Sequence, residues 1–149
     1  MSVAIDVAVE TGRLAISRAL AADAARAVLR DQRVRDAVLS ITFVRDATIA
    51  RLNREHLGRR GTTDVIAFGF APPPLGGPVV GDIYIAPAVA RLAARERDIL
   101  LREELVRLVV HGTLHVLGHD HPDDASRVRS PMWKRQERLV TRIQRAHGL

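Results

Sequence analysis

Apolar and polar positions alternate weakly over Val3 to Val9, which predicts a first strand. From Leu14 to Leu29, Leu14, Ile16, Leu20, Ala24, Val28 and Leu29 recur at helical spacing. Val38 to Val44 is rich in β-branched residues and predicts a second strand. A short helix is expected over Ala47 to His56, ending near Gly58, and a third strand over Asp64 to Phe70. The Pro/Gly-rich stretch Ala71 to Pro78 is too short for a domain linker and predicts a surface loop. Gly81 to Ile85 forms a fourth strand closed by Pro87. Helices follow over Ala88 to Ala94, Leu100 to Leu117 and Pro131 to Ala146, with a break near Asp98. The mixture predicts one α/β (α+β) domain, a mixed sheet of about four strands packed against helices.

Composition changes this picture only in part. At 149 residues the chain has the length of one domain able to bury an ordinary core. Its 3% aromatic content means that core is aliphatic. Cysteine is absent, which excludes disulfides and thiolate ligands, so any metal is held by His, Asp or Glu. Asp6 and Glu10 interrupt the first apolar run, and no stretch approaches the ~18 apolar residues of a membrane span. A cytoplasmic protein is the expectation. The net charge is +6, and Lys134 is the only lysine, so arginine carries nearly all the positive charge. Arginine's planar fork of donors suits phosphate, which fits an RNA or DNA partner; a GC-rich genome accounts for the same bias.

The chemistry is concentrated between His111 and His121, where four of the six histidines fall. His111 and His115 are one helical turn apart, about 6 Å along the axis, and share a face. Gly118 stands where a left-handed residue ends a helix, letting the chain return with His121 as third ligand. Three protein ligands leave a position open for water, the layout of a catalytic zinc. His119 is expected to face solvent or support a ligand, and Asp120 to orient an imidazole or form a turn. His56 and His147 lie outside the cluster and are expected to be structural.

The spacing H-x3-H-x2-G-x2-H is also that of the metzincin proteases, but Gly112 occupies the place of their general-base glutamate. A zincin-like metalloprotease is therefore the third reading.

The stretch HGTLHVLGHDHP resembles the signature of the YbeY endoribonuclease family (rRNA maturation factor), H-G-x-L-H-L-x-G-Y-D-H. Leu52-Asn53 and Thr63 to Phe68 are similar to that family's L-N and T-D-V-L-S-F. Gly81-Asp82-Ile83 is similar to its G-D-I strand, and Met132 with Glu137 to the pattern of its C-terminal helix. The resemblance implies a metal-dependent, single-strand-specific endoribonuclease acting in rRNA maturation and ribosome quality control. By position it places one zinc per chain on His111, His115 and His121, at the end of a central helix. It implies single-stranded RNA, rRNA above all, as partner, with ribosomal or assembly proteins beside it. The alternative is a zinc-stabilised ribosome-assembly module that binds RNA without cutting it. Two departures stand out: His119 replaces the family's tyrosine, and the place of an arginine important in many members is Leu57. Arg59 and Arg60, in the Gly-flanked segment that follows, are the candidate replacements.

Overall fold

A computed structural model describes residues 2–70 and 76–149. Four strands form one sheet in the order β1 (Val3–Val9), β2 (Ala37–Phe43), β4 (Val79–Ile85), β3 (Val65–Phe70). β1, β2 and β4 run parallel, and β3 pairs antiparallel with β4 at the edge. Five helices accompany them: α1 (Arg18–Asp31), α2 (Asp46–Leu57), α3 (Pro87–Arg97), α4 (Leu101–Val116) and α5 (Pro131–Ala146). A 3-10 turn spans Ala125–Arg129. The expected four-stranded mixed sheet with helices is present.

Most boundaries fall within a few residues of expectation, but α1 starts later than its apolar spacing suggested. Ser17 is the reason: its hydroxyl accepts a hydrogen bond from Leu20 N at 3.0 Å and caps the helix there. Leu14 and Ile16 precede the helix and still pack on the core. Asp98 adopts a left-handed conformation (φ 54°) and separates α3 from α4 where a break was expected. Of the loop expected over Ala71 to Pro78, residues 71–75 lie outside the described residues.

The core lies between one face of the sheet and the helices. Leu39, Ile41, Ile83 and Ile85 point from β2 and β4 toward Leu105, Val109 and Leu114 of α4, all of them buried. α4 touches α1, α3, α5, β3 and β4, so it is the central helix. Its buried residues go well round its circumference, as expected of a helix enclosed on several sides.

Three glycines let α4 lie close on the sheet. Gly69 and Gly81 are register partners on β3 and β4, beneath Val116. A Cβ at Gly69 would stand 2.7 Å from the Val116 carbonyl oxygen. Gly112 faces Ile83, whose Cγ2 would lie 2.7 Å from an added Cβ. The close approach fixes the C-terminal end of α4 over the β3 edge, and that is where the histidines emerge.

Candidate metal centre

α4 presents His111 and His115 one turn apart on one face. The helix ends at Leu117, and Gly118 takes φ 94°, a left-handed turn that brings the chain back. Asp120 steadies that return by accepting a hydrogen bond from His121 N at 2.8 Å. His121 thereby meets the other two. One ring nitrogen from each of His111, His115 and His121 lies within 4.8 Å of the others, and the ring centroids are 4.6–5.1 Å apart.

The donors suit a metal. His111 Nε2 and His115 Nε2 are 3.1 Å apart; two nitrogens about 2.0–2.1 Å from one tetrahedral ion are about 3.3 Å apart. The far side of two rings is also held. His121 Nδ1 donates to the Pro122 carbonyl at 2.8 Å, and His111 Nδ1 is 2.6 Å from Gln136 Oε1. Gln136 Nε2 donates to Glu137 Oε2 at 3.0 Å, which turns the amide oxygen toward His111. His111 and His121 therefore carry their protons on Nδ1 and direct lone pairs from Nε2 into the cluster.

Burial favours the neutral form of His111 and His115. The His111 imidazole is pushed down to about 4, first by burial and then by His115, His121 and Arg127 nearby. His115 is lowered too, by burial first and His121 second. Neutral imidazole is the form that ligates. Among the described residues no fourth His, Asp or Glu joins the group. His119 turns the other way: its Nε2 lies 2.6 Å from Gln32 Oε1 and ties the turn to the end of α1. His147 sits 3.7 Å from Asp23, and His56 packs against Phe68, as expected of residues outside the centre.

The triad opens into a groove lined by Leu57, Arg59, Asp64, Asp123 and Arg127. Arg59 stands there because α2 stops at Gly58 and buried Asn53 donates to the Gly61 carbonyl at 3.1 Å, pinning the loop. Arg60 is exposed and does not line the groove. Sequence reasoning missed Arg127 and Gln136. Arg127 comes from the short 3-10 turn, which leaves no periodic signal. Gln136, four residues after Met132 on α5, is 1% exposed and had the look of an ordinary polar helix position.

Behind His111 lies a second polar pocket, where Arg107 unites the helices. It bonds Glu137 of α5 at 2.9 Å and Glu103 and Glu104 of its own helix at 3.0 Å. Glu137 is held below the usual carboxylate range, the bonds from Arg107 and Gln136 outweighing the opposing effect of burial. Burial pushes Glu104 the other way.

This chain is similar to several known proteins. The family model described as Endoribonuclease YbeY matches residues 6–144. A curated Endoribonuclease YbeY from Anaeromyxobacter sp. is 40% identical over 116 residues, covering 76% of this chain but 56% of that protein. One from Chlorobaculum parvum is 30% identical over 136 residues, covering 91% of this chain and 93% of the relative. A solution structure of a protein from Thermotoga maritima shares the fold, with TM-score 0.62, 24% identity, and coverage of 94% and 89% of the two chains.

Proposed function

This chain belongs to the YbeY endoribonuclease family, and from that premise we propose that it is a metal-dependent endoribonuclease that cuts single-stranded RNA. Its substrate is ribosomal RNA, in maturation and quality control of the ribosome in the cytoplasm. The observation that carries this reading is a three-histidine centre open to a groove that also holds two arginines, Arg59 and Arg127.

His111, His115 and His121 hold one zinc ion, a choice favoured by three imidazole donors and the absence of cysteine. Bound there, the metal supplies Lewis-acid chemistry, polarising a phosphate oxygen and making water a better nucleophile. The protein does the rest. Gln136 and the Pro122 carbonyl fix which imidazole nitrogen is free. Arg59 and Arg127 offer donors to the scissile phosphate as negative charge builds on its oxygens. Neither forms an ion pair among the described residues, so their donors are not spent on carboxylates. Leu57 contributes an apolar wall at the place where an arginine was sought.

Two rival readings carry less. A zinc that only stiffens an assembly module would be closed by four ligands, and neither His119 nor Asp120 joins the triad's cluster of donor atoms. A zincin would need a carboxylate at 112, where this chain has a glycine packed closely on Ile83.

The test is cleavage by metal-loaded protein. Single-stranded RNA should be cut, duplex RNA and casein should not, and a chelator should abolish the activity until zinc is restored. RNA binding without cleavage by fully loaded protein would hand the function to the assembly-module reading.

A further inference from the structure

The chain has three Phe, one Tyr and one Trp, and three of these five gather in one shallow groove. Phe68 and Phe70 are on β3 and Tyr84 on β4. Register pairs Ile66 with Tyr84, Phe68 with Asp82 and Phe70 with Val80, so all three rings rise from the same face of the sheet. It is the face opposite α4. Phe68 and Tyr84 meet edge to face with centroids 6.1 Å apart, and His56 of α2 lies 5.2 Å from Phe68. Phe70 is 53% exposed. α2 covers one end of this face through Ile49 and Leu52, and among the described residues Val38 of β2 and Phe70 of β3 are left exposed on it. In a chain with 3% aromatic residues, concentrating them where water reaches them forgoes burial that the core would otherwise gain.

We infer that this groove is a nucleobase subsite, in which Phe68, Phe70 and Tyr84 stack an unpaired base of the RNA strand whose phosphodiester lies at the histidines. The inference rests on the endoribonuclease reading and deepens it. The groove adjoins the metal centre across the edge strand β3: Ala67 lines both, and Leu57, which borders the histidines, follows His56 in sequence. Its charge pattern separates base from backbone. Among the described residues that line it, the one carboxylate is that of Asp82, held by the Ser40 hydroxyl at 2.6 Å and able to accept from base N–H donors. Cations lie outside it, with Arg51 and Arg54 exposed on α2, the helix that contributes Leu52 and His56 to the groove, and Arg59 just past that helix. Aromatic faces flanked by basic side chains are how sequence-tolerant single-strand binding is built. A base already paired and stacked in a duplex has no free face to offer, so this subsite supplies a physical cause for single-strand selectivity.

The test is binding of a fluorescently labelled, short single-stranded RNA to the full-length protein in chelator, read by anisotropy. Phe70→Ala, at a half-exposed position, should weaken binding by about 10-fold or more. The salt dependence should keep its slope, because no phosphate contact is lost. Phe70→Trp should restore affinity. In a series of strands each carrying one abasic nucleotide, at least one position should weaken wild-type binding to the level of Phe70→Ala, and that variant should no longer sense the missing base. If wild-type protein binds and cuts the RNA while Phe70→Ala binds equally well, the subsite is overturned alone. The same holds if Phe70→Ala instead dissolves a dimer of the wild-type chain, since the face then serves a second copy. Wild-type protein that binds no RNA overturns the parent reading, and the subsite with it.

Discussion

Gln136 on α5 accepts a hydrogen bond from His111 on α4 at 2.6 Å, and it does so from a position 1% exposed. The amide is itself oriented by Glu137, and Glu137 by Arg107, so a chain of polar contacts runs from the helix interface to a ligand nitrogen. Such support fixes the tautomer and the ring direction. Gln136→Leu should therefore lower metal affinity by about 10–100-fold, measured by competition with a chromophoric chelator on protein shown to be folded by circular dichroism. Gln136→Glu keeps an acceptor there and should retain most of the affinity. Wild-type affinity in Gln136→Leu would mean that the contact does not shape the site.

One centre implies one ion. Purified protein should carry about one transition metal per chain, His115→Ala should lose it, and His147→Ala, paired with Asp23 far from the triad, should keep it. Equal metal content in both variants, measured by plasma emission, would remove the assignment.

The histidine cluster was legible because α-helical spacing and a glycine turn are encoded locally: His111, His115 and Gly118 needed no tertiary knowledge. The sheet was legible for the same reason, its strands being short β-branched runs between turn residues. What could not be read depends on packing between distant segments. Gln136 matters because α5 lies against α4, and Arg127 because the 3-10 turn after His121 carries it back to the groove. Leu14 and Ile16 fit a helical period, but the Ser17 cap decided where α1 begins. The α2–β3 loop showed two arginines of equal standing, and buried Asn53 placed one of them on the groove.

Gly112 is a sharper case. Against the protease pattern it is a missing glutamate, whereas in the structure it is the contact that lets α4 settle on Ile83. Alanine is the better helix former by about 1 kcal/mol, so an exposed Gly→Ala change would stabilise. Here the added methyl must displace a fully buried side chain, at about 1–3 kcal/mol. Gly112→Ala should be neutral to destabilising, by on the order of 1 kcal/mol in urea denaturation. Clear stabilisation would show that the contact relaxes freely.

Glu137 gives a pH dependence with a defined sign. Its carboxyl is held below the ordinary range by Arg107 and Gln136 despite burial. The stability it contributes is present above the unfolded-state value of about 4.3 and is lost as pH falls through the lower folded value. Glu104, raised by burial, titrates with the opposite sign, so the informative quantity is the difference between wild type and Glu137→Gln. That difference should be largest near neutral pH and shrink below about pH 4, followed by thermal unfolding. A difference independent of pH would assign the effect to packing rather than charge.

The arginines give the test closest to the chemistry. Leu57 cannot contact a phosphate, so donors for its developing charge have to come from elsewhere on the groove. Arg59 and Arg127 line it, and Arg60 does not. Removing one transition-state donor costs on the order of 10²-fold, so Arg59→Ala and Arg127→Ala should each lower kcat on single-stranded RNA by about that factor. Arg60→Ala and Arg145→Ala, the latter on α5, should do little. Metal content should be unchanged in all four. Each of the first two should also reduce the slope of log affinity against log salt by about one, because a phosphate contact is lost. A role confined to holding the loop in place would lower kcat without that change in slope. If Arg127→Ala and Arg59→Ala both cleave at the wild-type rate, the groove's arginines take no part in the reaction.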